Sequence, residues 1–368
     1  MLTSRRRYIA LACRIVVALL FVFSGLSKAI DPVGTSFVVE EYLRAYSAEW
    51  LIGGSITLSI VLSGAELMMG LLIALGILPR LSSIVAFVTM CLFTVITLLS
   101  ATVFTVADCG CFGDVVKLSP WLTFAKNVVL LPFAALLWWF SRPAEWFTLS
   151  RRQLIYTAAT AVISFGIGIY SYLYLPLIDL SSYRKGINLY ELVYGSEEQA
   201  SEGEDTYIYK NTESGEHREF TLEELESLDD KWEWVETCEG SVTTSAEGSL
   251  SDRFFIVDSE GDATRDILSR QGAVYLICIT DFDAIPMSCA RRLERVVRLA
   301  MDNDDLVIIL TPEHLRGITY YSFAESPLVR CYNIDAREMK NLLRANNGLV
   351  VLHNATITDK LNCRSIGF

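Results

Sequence analysis

Histidine is nearly missing from this sequence: three occur in 368 residues, at 217, 314 and 353, and none in the first 216. Without imidazole, the first half cannot ligate a haem between helices through histidine or use histidine to complete a zinc site. His314 and His353 read as surface or hydrogen-bonded residues. Cysteine is sparse as well. The nine cysteines (13, 91, 109, 111, 238, 278, 289, 331 and 363) are too few to staple so long a chain, and their odd number leaves at least one outside any internal pair. Basic residues are outnumbered, 31 Lys and Arg against 43 Asp and Glu, for a net charge of −12. No basic patch is available to attract nucleic acid. The carboxylates concentrate in "GSEEQASEGED" and "TLEELESLDDKWEWVE", which read as a solvated, like-charged surface.

What the chain does have is apolar length. Hydrophobic residues make up 52% of it, and the mean hydropathy is +0.37. The average conceals two unlike halves: residues 8 to 175 carry long apolar runs, whereas 183 to 368 read as an ordinary soluble sequence. A hydrocarbon layer of about 30 Å takes roughly 20 apolar residues in a helix. Five stretches meet that length, at about 8–28, 56–78, 81–106, 121–140 and 153–176. Arg5, Arg6 and Arg7 precede the first, as in a signal peptide, but no small-residue cleavage site follows a short apolar core. It is therefore a helix that stays.

Basic residues in short loops mark the cytoplasmic side. Arg5, Arg6 and Arg7, then Arg80, then Arg142, Arg151 and Arg152 fall before helix one, between helices two and three, and between helices four and five. This places the amino terminus in the cytoplasm, the protein in the inner membrane and the soluble half outside it, where disulfides persist. The expected fold is a multi-pass α-helical bundle of about five spans followed by a soluble α/β domain, with the lipid bilayer as its first partner.

Charge inside a span costs on the order of 3 kcal/mol, so each instance asks for a reason. Glu66 lies about halfway along the second span, Lys28 ends the first, and Lys126 lies in the first turns of the fourth. The two lysines can snorkel to the outer interface. Glu66 cannot do so as readily, which leaves a hydrogen-bonded or ion-paired carboxyl, or a group that handles protons. The small residues of "GGSITLSIVLSGAELMMG" suit close helix packing.

After the third span comes "DCGCFGD", residues 108 to 114. Residues two apart can form a disulfide only where the backbone bends, and Gly110 permits that bend. Such a bond would be strained and oxidising, which suits exchange. Asp108 and Asp114 oppose the thiolate, and Lys117 and Lys126 are the nearby cations. Two thiolates make at most half of a zinc site, so no metal site is assigned. A redox pair, a structural turn and a metal contact all remain open readings of these residues. Cys13 and Cys91 read as packing residues.

"RIVVALLFVFSGLSKAIDP", "AELMMGLLIALGIL" and "DCGCFGD" together resemble the DoxX-like membrane proteins, in particular the methylamine utilisation protein MauE family, over about residues 8 to 140. The resemblance implies a four-helix membrane bundle, similar to that of vitamin K epoxide reductase-like proteins and associated with disulfide formation in exported proteins. It casts Cys109 and Cys111 as the family's paired cysteines, and Lys28 and Glu66 as its recurrent membrane charges. A fifth helix and a long soluble tail are this chain's departures. The expected division is a membrane domain at 1–145, the fifth helix and linker at 146–182, a small β-rich segment at 183–251 and a soluble α/β domain at 252–368.

In the soluble half a polar linker leads to a hairpin, "DTYIYKN" and "EHREFTL" around "TESG", and a further strand "WEWVET". From 253 the expected order is strand "RFFIVD", a short helix, strand "AVYLICIT", helix "SCARRLERVVRLAMD", strand "DLVIILT", a helical or irregular stretch, helix "AREMKNLLRAN", and strands "GLVVLHN" and "TITDKLN". Such alternation suits crossover units, and the succession is similar to the thioredoxin-like fold. Where that fold carries C-x-x-C at a helix start, this sequence has Cys289 alone, beside Arg291 and Arg292. Cys289 is thus a candidate exchange thiol within a degenerate domain. Cys278 reads as core, while Cys238, Cys331 and Cys363 are candidates for pairing.

These readings converge on a membrane thiol–disulfide protein. Cys109 and Cys111 would exchange disulfides with exported client proteins, and a quinone is the candidate electron acceptor. The alternatives are a non-enzymatic assembly factor and, third, a small-molecule transporter using Glu66 and Lys28.

Overall fold

A computed structural model describes residues 2–103, 119–141, 150–202, 206–211, 217–220, 232–238, 253–283, 285–314, 319–322 and 328–367. The chain divides into two compact units, Met1–Arg184 and Lys185–Phe368.

The first unit is helical: α1 (Leu2–Ile30), α2 (Pro32–Ala45), α3 (Ser55–Leu75), α4 (Pro79–Thr102), α5 (Pro120–Ser141) and α6 (Arg151–Leu173). Among the described residues, five stretches are long and apolar enough to cross a bilayer: Arg6–Ile30, Glu49–Leu75, Pro79–Thr102, Pro120–Ser141 and Arg151–Leu173. These correspond to the five spans expected from composition, and the protein is a multi-pass membrane protein.

The segment between the first two spans is a finding, because it holds α2 where a loop was expected. Its start is encoded locally: the Asp31 carboxylate accepts the Gly34 N–H at 2.8 Å, and Pro32 occupies the first helical position, where its missing N–H costs nothing. Pro32 to Phe37 are buried, and Ser59 of α3 donates to the Pro32 carbonyl at 2.8 Å.

Helices α1 and α3 approach backbone to backbone. A Cβ on Gly25 would collide with the Leu67 backbone, and one on Gly70 would lie 2.6 Å from the Val22 nitrogen. Small residues permit this closeness, and in lipid it is dispersion between the helices that rewards it. The end of α3 is sealed from two directions. Gly76, at φ 67°, makes the left-handed cap, and Arg14 donates to the Ile73 and Ala74 carbonyls, each at 2.7 Å. Val17, Phe21, Met69, Ile73, Met90 and Leu137 form part of the apolar core of the bundle.

The second unit is mixed α/β. Its helices are α7 (Leu189–Glu202), α8 (Thr264–Leu268), α9 (Met287–Asp302) and α10 (Ala336–Leu343). One antiparallel sheet has the order β2-β1-β3, from β1 (Thr206–Asn211), β2 (His217–Phe220) and β3 (Trp232–Cys238). These are the expected hairpin and its third strand.

The larger sheet contains β4 (Val257–Asp258), β5 (Gly261–Asp262), β6 (Ala273–Ile279), β7 (Leu306–Thr311), β8 (Thr319–Ser322), β9 (Leu328–Asn333), β10 (Asn347–His353) and β11 (Thr356–Asn362). Its order is β11-β10-β6-β7-β9-β4-β5, with β8 on β9. β6 and β7 are parallel, so they need a crossover, and the amphipathic α9 supplies it. Leu293, Val296, Val297 and Ala300 of α9 are buried against a core that includes Ile277, Ile279 and Ile309.

Three expectations in this unit need correction. The polar linker contains α7, whose Leu189 and Val193 are buried, and the Leu189 N–H bonds the Ala355 carbonyl at 2.8 Å. "RFFIVD" is not a full strand: only Val257 and Asp258 pair, while Phe254 and Ile256 serve as buried anchors. The stretch after β7 holds two strands, β8 and β9, too short and too polar to show a period.

Candidate functional site: a charged cavity within the helix bundle

The three membrane charges singled out from the sequence line one cavity. Its volume is about 310 Å³, and Lys28, Glu66 and Lys126 all contribute to its wall. Lys28 and Glu66 form a salt bridge, with Nζ 2.9 Å from Oε1 and 2.8 Å from Oε2. Ser24, one turn before Lys28 on α1, donates to Glu66 Oε2 at 2.9 Å. Lys28 is 9% exposed and Glu66 5%, and the Lys28 ammonium lies 5.7 Å from the Phe93 ring centroid.

The snorkelling expected of Lys28 is therefore wrong. Lys28 stands two residues from the end of α1, but α1 ends against the middle of α3, not at that helix's end. Glu66 is roughly 16 Å along a helix of roughly 31 Å, from the rise per residue, and the Gly25 and Gly70 contacts set that register. Pairing offsets the desolvation of both charges, and the Ser24 hydroxyl satisfies a further carboxylate lone pair. Of the two readings open for Glu66, the geometry is that of the ion-paired carboxyl. Lys126, partly exposed, lines the cavity.

Sequence reasoning missed the neutral groups around these charges. Asn127 of α5 is 3% exposed, and its amide donates to Thr97 Oγ1 of α4 at 3.3 Å. Tyr42 and Thr35 come from α2, and Leu20, Leu58, Leu62 and Ile96 supply apolar wall. Two signals were readable: Ser24 precedes Lys28 by one helical turn, and Asn127 is a second polar residue beside Lys126 inside an apolar run. The contribution of α2 carried no such signal.

The cysteines divide into three groups. Cys109 and Cys111, with the rest of "DCGCFGD", lie outside the described residues. Cys289 is not a lone thiol: it forms a disulfide with Cys363, across 5.4 Å between Cα atoms and 74 residues of sequence. Cys289 is the third residue of α9, and Cys363 follows β11 directly, where its N–H bonds the Asn347 carbonyl at 3.1 Å. Arg292, one turn along α9, donates to the Cys363 carbonyl at 3.1 Å. Both cysteines are buried. The partner of Cys363 is thus neither Cys238 nor Cys331. Cys331 is buried in β9, 3.8 Å from the Val329 carbonyl.

Cys278 is fully buried in β6, and burial pushes its thiol up to about 12, against the opposing charge of Lys360. It is a core residue and a poor nucleophile at neutral pH. Cys13 is buried against the bundle core, and Cys91 is half-buried on α4. His314 and His353 are exposed.

The bundle and its charged cavity define a multi-pass membrane protein that carries a mixed α/β domain after its last span. Residues 6–140, which include every described residue lining the cavity, match the family model described as Methylamine utilisation protein MauE. Over those residues the chain is similar to that family. No curated protein and no solved structure matches the chain.

Proposed function

We propose that this protein is a membrane thiol–disulfide redox protein that assists disulfide formation in exported proteins, with Cys109 and Cys111 as the exchanging pair. The observation that carries the reading is the Cys289–Cys363 disulfide at the first turn of α9. A bond of that kind belongs in an oxidising compartment. The distribution of Arg5–Arg7, Arg80, Arg142, Arg151 and Arg152 argues for the same compartment for "DCGCFGD" and the soluble unit, with the amino terminus in the cytoplasm of an inner membrane. The sheet order β7-β6-β10-β11, with a helix leading from β6 to β7, supports kinship of the soluble domain with thioredoxin-like folds.

In the proposed cycle a client thiolate attacks one sulfur of the Cys109–Cys111 bond. A mixed disulfide forms and the other cysteine leaves as thiolate. The client's second thiolate then resolves the mixed bond, so the client is oxidised and the pair is reduced. A membrane quinone restores the pair by accepting two electrons and two protons to become a quinol.

The burial of both Cys289 and Cys363 favours a second role for the soluble unit: a binding module braced by its disulfide, which holds the client without exchanging with it. Trapping thiols with a mass-tagged maleimide in intact cells tests both ideas. Cys109 and Cys111 should change state with growth under oxidant and reductant, and Cys289 and Cys363 should not. An unchanged disulfide state of all exported proteins in the Cys109→Ser, Cys111→Ser double variant would sink the redox reading.

A further inference from the structure

We infer that the cavity among α1–α5 is a binding site for a single-chain, membrane-soluble amphiphile whose polar end presents hydrogen-bond-accepting oxygen. Three features of the cavity point to this class. Its volume of about 310 Å³ matches the smaller ligand pockets, which combine apolar walls with a few convergent polar groups. The walls are aliphatic and aromatic, and they accept a hydrocarbon body as readily as lipid does.

The wall also carries hydrogen-bond donors. Lys28 uses two of its three N–H bonds on Glu66, which leaves one for an occupant. Asn127 spends one amide hydrogen on Thr97 and keeps the other. The donors select the head group. A carbonyl or carboxylate oxygen accepts from Lys28 and Asn127, whereas an ammonium head has no lone pair to offer them. A buried ion pair serves stability poorly when apolar packing could replace it. Here the pair forms part of the wall of a space large enough for another molecule. The site rests on Lys28, Asn127 and the apolar wall, and the thiol reading does not enter it.

The test uses the full-length protein in lipid nanodiscs, with decylubiquinone, oleate and dodecylamine as probes and thermal unfolding as the readout. Saturable stabilisation by decylubiquinone or by oleate, at least tenfold tighter than by dodecylamine, is expected, and the tighter of the two identifies the head group. Val39→Trp and Leu58→Trp, which fill the cavity from two different helices, should each abolish the shift. Lys28→Met should weaken it at least tenfold. On the wild-type chain, a diazirine-bearing fatty acid should label residues of the cavity wall and be competed by the tighter probe. No shift with either oxygen-headed probe, or labelling confined to the lipid-facing surface, overturns the proposal. Binding with an inert Cys109/Cys111 pair refutes the redox reading and leaves the site, whereas turnover of that pair without binding refutes only the site.

Discussion

Lys28 shows how far a single residue's role depends on its neighbour. Alone near a helix end it would extend to water. Opposite Glu66 it is buried, and each charge is the other's main compensation. Removing one partner should therefore cost more than removing both. Lys28→Met or Glu66→Gln alone is expected to destabilise the bundle, with Lys28→Met costing about 3 kcal/mol because it leaves a carboxylate bare. The double variant should recover a measurable part of that loss. Unfolding in detergent over a double-mutant cycle checks this, and purely additive losses would deny the coupling.

Cys278 offers a residue-scale test in the soluble unit. Its folded pKa is raised from 9.0 to about 12, so the group contributes stability that is fully present below pH 9 and is lost as pH rises from 9 toward 12. The loss should approach about 1.4 kcal/mol per pH unit. Denaturant titrations between pH 8 and pH 10.5 should show a decline that Cys278→Val flattens. Native protein should also leave Cys278 unalkylated by iodoacetamide at pH 8, and rapid labelling there would contradict its burial.

At the scale of elements, the contact of α1 with α3 sets the geometry of the site. Gly70→Ala places a methyl 2.6 Å from the Val22 nitrogen, and neither backbone can yield without parting the helices. A loss of about 1–3 kcal/mol is expected, as for other overpacked interiors. Gly166→Ala, with open space around the added Cβ, should be nearly neutral. Thermal unfolding of the two variants side by side measures the difference, and equal behaviour would mean that the contact does not hold the bundle. The spans themselves were legible because twenty apolar residues admit few other fates. Helix α2 was not, although "DPVGTSF" carries a capping aspartate and a first-position proline: its apolar content is too short to read as a span, and its burial arises from packing on α3. β8 and β9 escaped for a related reason, being strands of four and six residues whose pairing lies in the sheet and not in a local pattern.

For the molecule as a whole, the Cys289–Cys363 bond ties the start of α9 to the end of the chain. Closing 74 residues of sequence restricts the unfolded state by about 4 kcal/mol in the chain-entropy account. Cys289→Ala or Cys363→Ala should lower the stability of the soluble unit by about 2–4 kcal/mol. Reductant should reproduce that loss in the wild type and add nothing in the variants. Urea unfolding followed by near-ultraviolet circular dichroism makes the comparison.

The sequence by itself determined the two-part plan, the five spans, the hairpin and the crossover succession of the soluble unit. These follow from the length of apolar runs and from residue periodicity, which are local properties. It also marked Lys28, Glu66 and Lys126 as costly, because a charge in an apolar run is anomalous wherever it ends up. Only the tertiary structure decided that the three line one cavity, that α2 closes it, and that Cys289 pairs with Cys363. Each of these joins residues separated in sequence, and which partners meet is set by helix register and sheet order, to which no single segment holds the key.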